Sequence, residues 1–351
     1  MLLYSEEMIF FCDFCKMKSP VISILMPVKN TQQFLTECLE SIINQSETNW
    51  ELLAVDDHSS DESFSILNEY ATRDKRIKVF KNNGNGIIAA LRLAYSKSSG
   101  LLISRMDSDD IMDIDKLSVL KQNLIAAGKG SIAIGLVKYF SEKPLGEGFQ
   151  KYEAWLNELT EKGSNFEGIY KECSVPSPCW MVFREDLDKC EAFIPNRYPE
   201  DYDLAFRFYL NKLKVIACHQ VLLFWRDYST RTSRTHIHYA DNTFMTIKSH
   251  YFLKLEHDSN KNLVIWGAGD KGKSIAKKLI EKEIEFYWIC DNPKKIGKHI
   301  YNQEMLSFNS LETITNSQSI ITVANREAQK EIRNYFASRG YIPQKDYFFF
   351  C

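Results

Sequence analysis

Residues 101–117 read LLISRMDSDDIMDIDKL. The apolar run at the front is short and bounded by polar residues, the pattern of a buried strand. Where it ends, Asp107, Asp109 and Asp110 crowd together. Mutual repulsion raises the pKa of clustered carboxyls and costs stability, so such a turn calls for a compensating partner. Mg2+ or Mn2+ answers that need: hard divalent cations take oxygen ligands and share their shell with phosphates. A blander use is also open, in which Asp113 and its neighbours merely cap the following helix, IDKLSVLKQNL.

Upstream of this stretch the chain alternates strand and helix. VISILM (21–26) is a strand followed by Pro27. TQQFLTECLESIINQ (31–45) repeats Phe34, Leu35, Cys38, Leu39, Ile42 and Ile43 at helical spacing, with Thr31 as N-cap. WELLAVDD (50–57) is a strand ending in Asp56 and Asp57, and SSDESFSILNEYA (59–71) is a helix. IKVF (77–80) and GIIAALRLAYSKS (86–98) repeat the pair. This alternation predicts an α/β fold with a mainly parallel sheet flanked by helices. Ligands of such sheets bind at the carboxyl ends of the strands, where both acidic clusters fall.

Downstream, SIAIGLVKYF (131–140) loosens the rhythm. KECSVPSPCWMVFRE (171–185) is a proline-punctuated loop entering a strand, and YPEDYDLAFRFYLNK (198–212) an acidic loop entering a helix. KVIAC (214–218) and VLLFW (221–225) read as two further strands, and residues 238–257 as a long helix. The polar linker DSNKN follows, and the strand–helix rhythm restarts after it. The division expected is an extension over 1–19, a first domain over 20–255 and a second over 262–351.

Composition sets outer limits. In 351 residues, 44 Lys and Arg face 46 Asp and Glu, a net charge of −2. That balance argues against nucleic acid as a partner, since it offers no basic surplus. No apolar run approaches the roughly 18–20 residues that span a bilayer. The chain reads as soluble, or at most peripheral to a membrane. Cys12 and Cys15 form one C-x-x-C without the second pair of a zinc site, so no metal or redox role is expected there. The N-terminus lacks a basic segment before its apolar patch, which points to the cytoplasm rather than to secretion.

Four segments, in this order, resemble the family 2 glycosyltransferases of the GT-A fold over roughly residues 20–235. ISILMPVKN is similar to the family's opening strand and turn. LESIINQSETNWELLAVDDHSSDES resembles the segment carrying its nucleotide-binding aspartate, MDSDDIMDIDKL its D-x-D metal motif, and PEDYDLAFR its later acidic motif. The resemblance implies transfer of a sugar from a nucleoside-diphosphate donor, UDP first among them. It also implies an acceptor hydroxyl on a glycan or lipid-linked molecule in surface polysaccharide assembly, and an inverted configuration. It implies that Pro27 borders the base, Asp57 accepts a base N–H and Asp56 lies beside the ribose or supports that turn. Asp109 would bind the metal directly, with Asp107 on the ribose or on the metal through water, and Asp201 would be the catalytic base. Glu200 and Asp203 would support it. Arg231 and Arg234 suit diphosphate oxygens or a phosphorylated acceptor, as Arg226 does, and His236 would join the metal shell; a solvated basic loop is the other reading of this cluster. Trp180 either stacks on a sugar or belongs to the core. Lys29 stands where the family commonly has an aromatic residue.

In the second domain, LVIWGAGDKGKSIAKKL places Gly267, Gly269 and Gly272 in G-x-G-x-x-G spacing after a strand. EFYWICD ends at Asp291, where such folds carry a ribose-binding acid. The unit resembles small Rossmann-like modules attached to sugar-modifying enzymes. A structural or interaction role, nucleotide or nucleotide-sugar binding, and NAD chemistry all remain open for it. For the whole chain the alternative is a sugar-nucleotide-binding or scaffold protein without transferase activity. A nucleotidyltransferase is disfavoured, because ILMPVKN lacks the glycine-rich, arginine-bearing signature expected at the first strand.

Overall fold

A computed structural model describes residues 20–194, 196–235, 239 and 244–351. It divides into two compact units, one taking in the chain to Phe166 and again Ser174–Arg231, the other Glu167–Cys173 and Thr232–Cys351.

The first unit is built on an eight-stranded sheet. Strands β1 (Ile22–Val28) and β2 (Trp50–Asp56) are buried at every position, as strands covered on both faces must be. With β3 (Ile77–Lys81) and β4 (Leu102–Arg105) they run parallel in the order β3-β2-β1-β4. Strand order reverses at β1, and a crevice opens at such a switch point beyond the strand ends. Pro27 and Val28, Asp56 and Asp57, and Asp107 all lie at that end. Helices α1 (Gln32–Ile43), α2 (Ser63–Arg73) and α3 (Ile87–Lys97) make the connections.

The acidic turn leads through β5 (Ile111–Met112) into α4 (Lys116–Ala127). Beyond it lie β6 (Ser131–Phe140), helix α5 (Glu147–Glu161), β7 (Trp180–Phe183), helix α6 (Arg184–Lys189), α7 (Glu200–Leu210) and β8 (Lys214–Arg226). Strand β7 is antiparallel to both β4 and β6, while β8 runs parallel to β6 and pairs antiparallel with β5.

Three local expectations change. KVIAC and VLLFW are one strand, β8, because it follows β6 along its whole length; the exposed pair His219-Gln220 sits where the register shifts near Gly135. Helix α5 has no counterpart in the reading above. It buries little of its length, with Phe149, Tyr152 and Trp155 only partly covered against the core. Thr31 occupies the N-cap position of α1 but caps nothing; its hydroxyl donates instead to Ser108 Oγ at 3.0 Å, tying α1 to the acidic turn.

The second unit carries a six-stranded sheet, β11-β12-β10-β9-β13-β14. These are β9 (Asn262–Trp266), β10 (Tyr287–Cys290), β11 (His299–Ile300), β12 (Gln303–Ser307), β13 (Ser317–Ile321) and β14 (Tyr347–Phe349), parallel except for β11. Helices α8 (Met245–Leu255), α9 (Asp270–Glu281) and α10 (Arg326–Ser338) belong to it. The helix expected over 238–257 is formed at Met245–Leu255, and 238 and 240–243 lie outside the described residues. Among the described residues no helix is long and apolar enough to cross a membrane.

Candidate active site

The acidic turn is held from two sides. Asp107 Oδ1 accepts from Arg105 Nε at 2.8 Å, and the same guanidinium, buried at the end of β4, reaches Glu200 Oε1 at 3.1 Å through Nη2. Residues 95 positions apart thus meet on one side chain, and the N-terminus of α7 joins the crevice. On the other side the strand β8 and the turn after it close over Asp109 and Asp110. The Arg226 backbone N–H donates to Asp110 Oδ1 at 2.8 Å, Arg226 Nε to the Asp109 carbonyl at 2.8 Å, and the Tyr228 hydroxyl to Asp109 Oδ2 at 2.8 Å.

Burial pushes the Asp109 carboxyl above its ordinary range, opposed by the Arg231 charge and reinforced by Asp107. Asp110, fully buried, is driven higher by burial and by Asp109. Its Oδ2 is buried without a hydrogen-bond partner. An orphaned carboxylate oxygen beside two more carboxylates fits a divalent cation in charge and donor chemistry. No group of three or more His, Cys, Asp or Glu side chains among the described residues is poised as a metal cage. The fit is therefore to an ion that completes its shell with phosphate and water, as Mg2+ usually does.

Asp201 stands on the first turn of α7, half-buried, accepting the Tyr202 N–H at 2.8 Å. Burial and the neighbouring Glu200 charge push it up to about 7, against the pull of Arg105. Asp203, on the same turn, is bound by Arg197 at 2.8 Å and Arg207 at 2.7 Å. It serves to anchor the helix, so of the two supporting acids Glu200 is the one beside Asp201.

At the end of β2, Asp57 is already engaged. It accepts from Asn82 Nδ2 at 2.6 Å, from the Gly86 N–H at 3.0 Å and from Lys29 Nζ at 3.1 Å. Lys29, 58% exposed, is the partner a ligand can displace. Gly86 has φ +86°, and an added Cβ would lie 2.9 Å from the Tyr198 hydroxyl, so the turn accepts no side chain there. Asp56 accepts the Ser59 N–H at 3.3 Å through Oδ2, and its Oδ1 is buried without a partner. Burial, Glu200 and Asp57 together raise the Tyr198 hydroxyl, which places it under the influence of both acidic regions.

The remaining expected site residues divide between the acidic turn, where the Arg231 charge acts on Asp109 and Asp110, and places away from it. Trp180 is fully buried, its ring 5.6 Å from Phe208 in an edge contact; it belongs to the core and does not face a sugar. Arg231 is buried over the Trp225 ring at 5.2 Å. Arg234 is exposed on a single turn, Thr232–Thr235, in the other unit, and His236 lies outside the described residues. Arg105, Tyr228 and the buried Lys116, whose Nζ reaches the Pro178 carbonyl, were not singled out in the sequence. The one local signal for Arg105 is its position two residues before Asp107.

In the second unit Gly267 has φ +117°, and a Cβ on Gly272 would lie 2.1 Å from the Gly267 carbonyl oxygen. That oxygen accepts Trp288 Nε1 at 2.8 Å, and Lys295 Nζ donates to the Ala268 carbonyl at 2.6 Å. A Cβ on Gly269 would meet nothing, and Asp291 is exposed. The close approach of α9 to β9 explains Gly267 and Gly272 without a ligand; Gly269 has no such packing reason.

A model of the family described as Glycosyl transferase family 2 matches residues 23–190. Glycosyltransferase GlyG of Streptococcus pneumoniae serotype 4 is 26% identical over 225 residues, covering 62% of this chain and 74% of that protein. An uncharacterized glycosyltransferase of Haemophilus influenzae is 38% identical over 122 residues, 33% of this chain; the chain spans about half (49%) of its length. Among solved structures, S. aureus TarS 1–349 in complex with UDP-GlcNAc superimposes with a TM-score of 0.54 at 17% identity, covering 68% of each chain.

Proposed function

The chain carries a family 2 glycosyltransferase domain, and from that premise we propose that it moves a sugar from a nucleoside diphosphate, UDP first, to a hydroxyl of a growing glycan or lipid-linked acceptor, inverting the anomeric centre. The observation that carries this reading is the bridge from Asp107 through Arg105 to Glu200. It sets the acid next to Glu200 at the rim of the turn that would face a diphosphate.

The roles divide between the two regions. Asp56 and Asp57, with Pro27 beside them, take the nucleoside; displacement of Lys29 opens Asp57 to a base N–H. Asp109, with Asp107 nearby, would hold Mg2+ or Mn2+, beside the unpartnered Oδ2 of Asp110. When bound, the ion would neutralise charge building on the leaving diphosphate. The Asp201 carboxylate takes the proton of the acceptor hydroxyl as that oxygen attacks the anomeric carbon, and the bond to the diphosphate oxygen breaks with its electron pair leaving on the nucleotide. One carboxylate base and one displacement suffice, which is why inversion is expected. Arg105 and Glu200 position the base. The work is assigned to the cytoplasm or the cytoplasmic face of its membrane. The C-terminal unit is proposed as a separate domain, in which Gly267, Gly269, Gly272 and Asp291 form a nucleotide site or shape a surface for a partner.

The test is Asp201→Asn. It should lower transfer about 10²–10⁴-fold, the usual reach of a general base, while UDP-sugar binding measured by calorimetry stays near wild type. Transfer at the wild-type rate would remove Asp201 from the chemistry.

A further inference from the structure

Arg231 is an unusual side chain: a guanidinium 9% exposed, laid over Trp225, with its own backbone N–H donating to the Tyr228 carbonyl at 3.3 Å. Its charge acts on both Asp109 and Asp110. Three residues earlier, the Tyr228 hydroxyl occupies Oδ2 of Asp109, and its ring packs on Phe34 of α1 at 4.7 Å. At the start of the same turn Arg226 holds Asp110 through its backbone and spans to Glu37. The segment thus offers the acidic turn what a cation would offer, a buried positive charge and a partner for a carboxylate oxygen.

We propose that the turn 226–231 stands in for the divalent ion when donor is absent, Arg231 supplying charge and Tyr228 holding the Asp109 oxygen, so that ion entry and release of this turn form one coupled equilibrium. The inference rests on the metal reading of the acidic turn given above. The tyrosine hydrogen bond weakens Asp109 Oδ2 as a ligand, and a buried guanidinium beside an ion repels it strongly. The ion alone therefore binds weakly. A nucleoside diphosphate changes the balance, because its phosphates give the displaced Arg231 a new anionic partner. Donor and ion then favour each other's binding by the same factor.

The experiment is a Mn2+ titration followed by electron paramagnetic resonance on the full chain, without nucleotide, comparing wild type with Arg231→Met, Tyr228→Phe and Asp109→Asn. The inference expects Arg231→Met and Tyr228→Phe to bind Mn2+ more tightly, by about tenfold for loss of the charge, and Asp109→Asn to lose the site. Tyr228→Phe removes only a hydroxyl, so it decides the matter alone if Arg231→Met does not fold. Loss in Asp109→Asn together with unchanged or weaker binding in both other variants overturns the competition and leaves the metal reading standing. Binding in Asp109→Asn equal to wild type, or none in any variant, overturns the metal reading and this inference together.

Discussion

Asp201 is pulled in two directions. Burial and Glu200 favour its neutral form, Arg105 favours the carboxylate, and the balance leaves it near 7. A base must be deprotonated to act, so activity should climb as pH rises through about 7, with kcat/KM reporting the free enzyme. Glu200→Gln removes the negative neighbour and leaves Arg105 less neutralised; both changes favour the carboxylate, so the rising limb should move to lower pH. An unmoved limb would mean that another group sets it. The same shift affects stability with a definite sign. The folded pKa lies above the unfolded one, so deprotonation disfavours the fold as pH rises between them. Asp201→Asn, which cannot ionise, should gain melting temperature over wild type at pH 8 more than at pH 5, by about 2–4 °C per kcal/mol recovered.

Elements place these residues at a cost that can be measured. Strand β7 slots antiparallel between β4 and β6, and Ser104 Oγ of β4 donates to the Trp180 carbonyl, which ties the strand bearing Arg105 to the start of β7. In the second unit, β9 and α9 meet at Gly267 and Gly272. Gly272→Ala forces its new carbon against a backbone oxygen and should cost about 1–3 kcal/mol in urea unfolding. Gly269→Ala meets open space and should leave stability near wild type. A nucleotide approaching the start of α9 would nevertheless feel that methyl group, so binding lost in Gly269→Ala at unchanged stability would mark a ligand site there. Stability lost equally in both variants would contradict the packing account.

The whole molecule joins two units of related architecture, and ligand-induced stabilisation tells their sites apart. UDP-sugar with Mn2+ at one hundred times its Kd should stabilise the full chain by about 2.7 kcal/mol, and Asp109→Asn should abolish the effect of Mn2+. Nucleotide stabilisation that persists in Asp57→Asn but disappears when Gly269→Ala is added to it would assign a second site to the C-terminal unit; a wholly absent response in Asp57→Asn would leave that unit without one. Much of this architecture was legible along the chain. Unbroken apolar runs separated by amphipathic helices specify parallel strands, and carboxylates ending two of those runs specify the crevice edge, because periodicity is a local property of neighbouring residues. The continuity of β8, the burial of Trp180, the loop anchoring of Lys116 and the occupation of Asp109 by Tyr228 were not legible. Each is a meeting of residues far apart in sequence, selected by which surfaces can be packed together. Arg105 shows the difference most plainly: its side chain faces Glu200 only because the strand after the proline loop returns antiparallel to β4, and no spacing within either motif encodes that return.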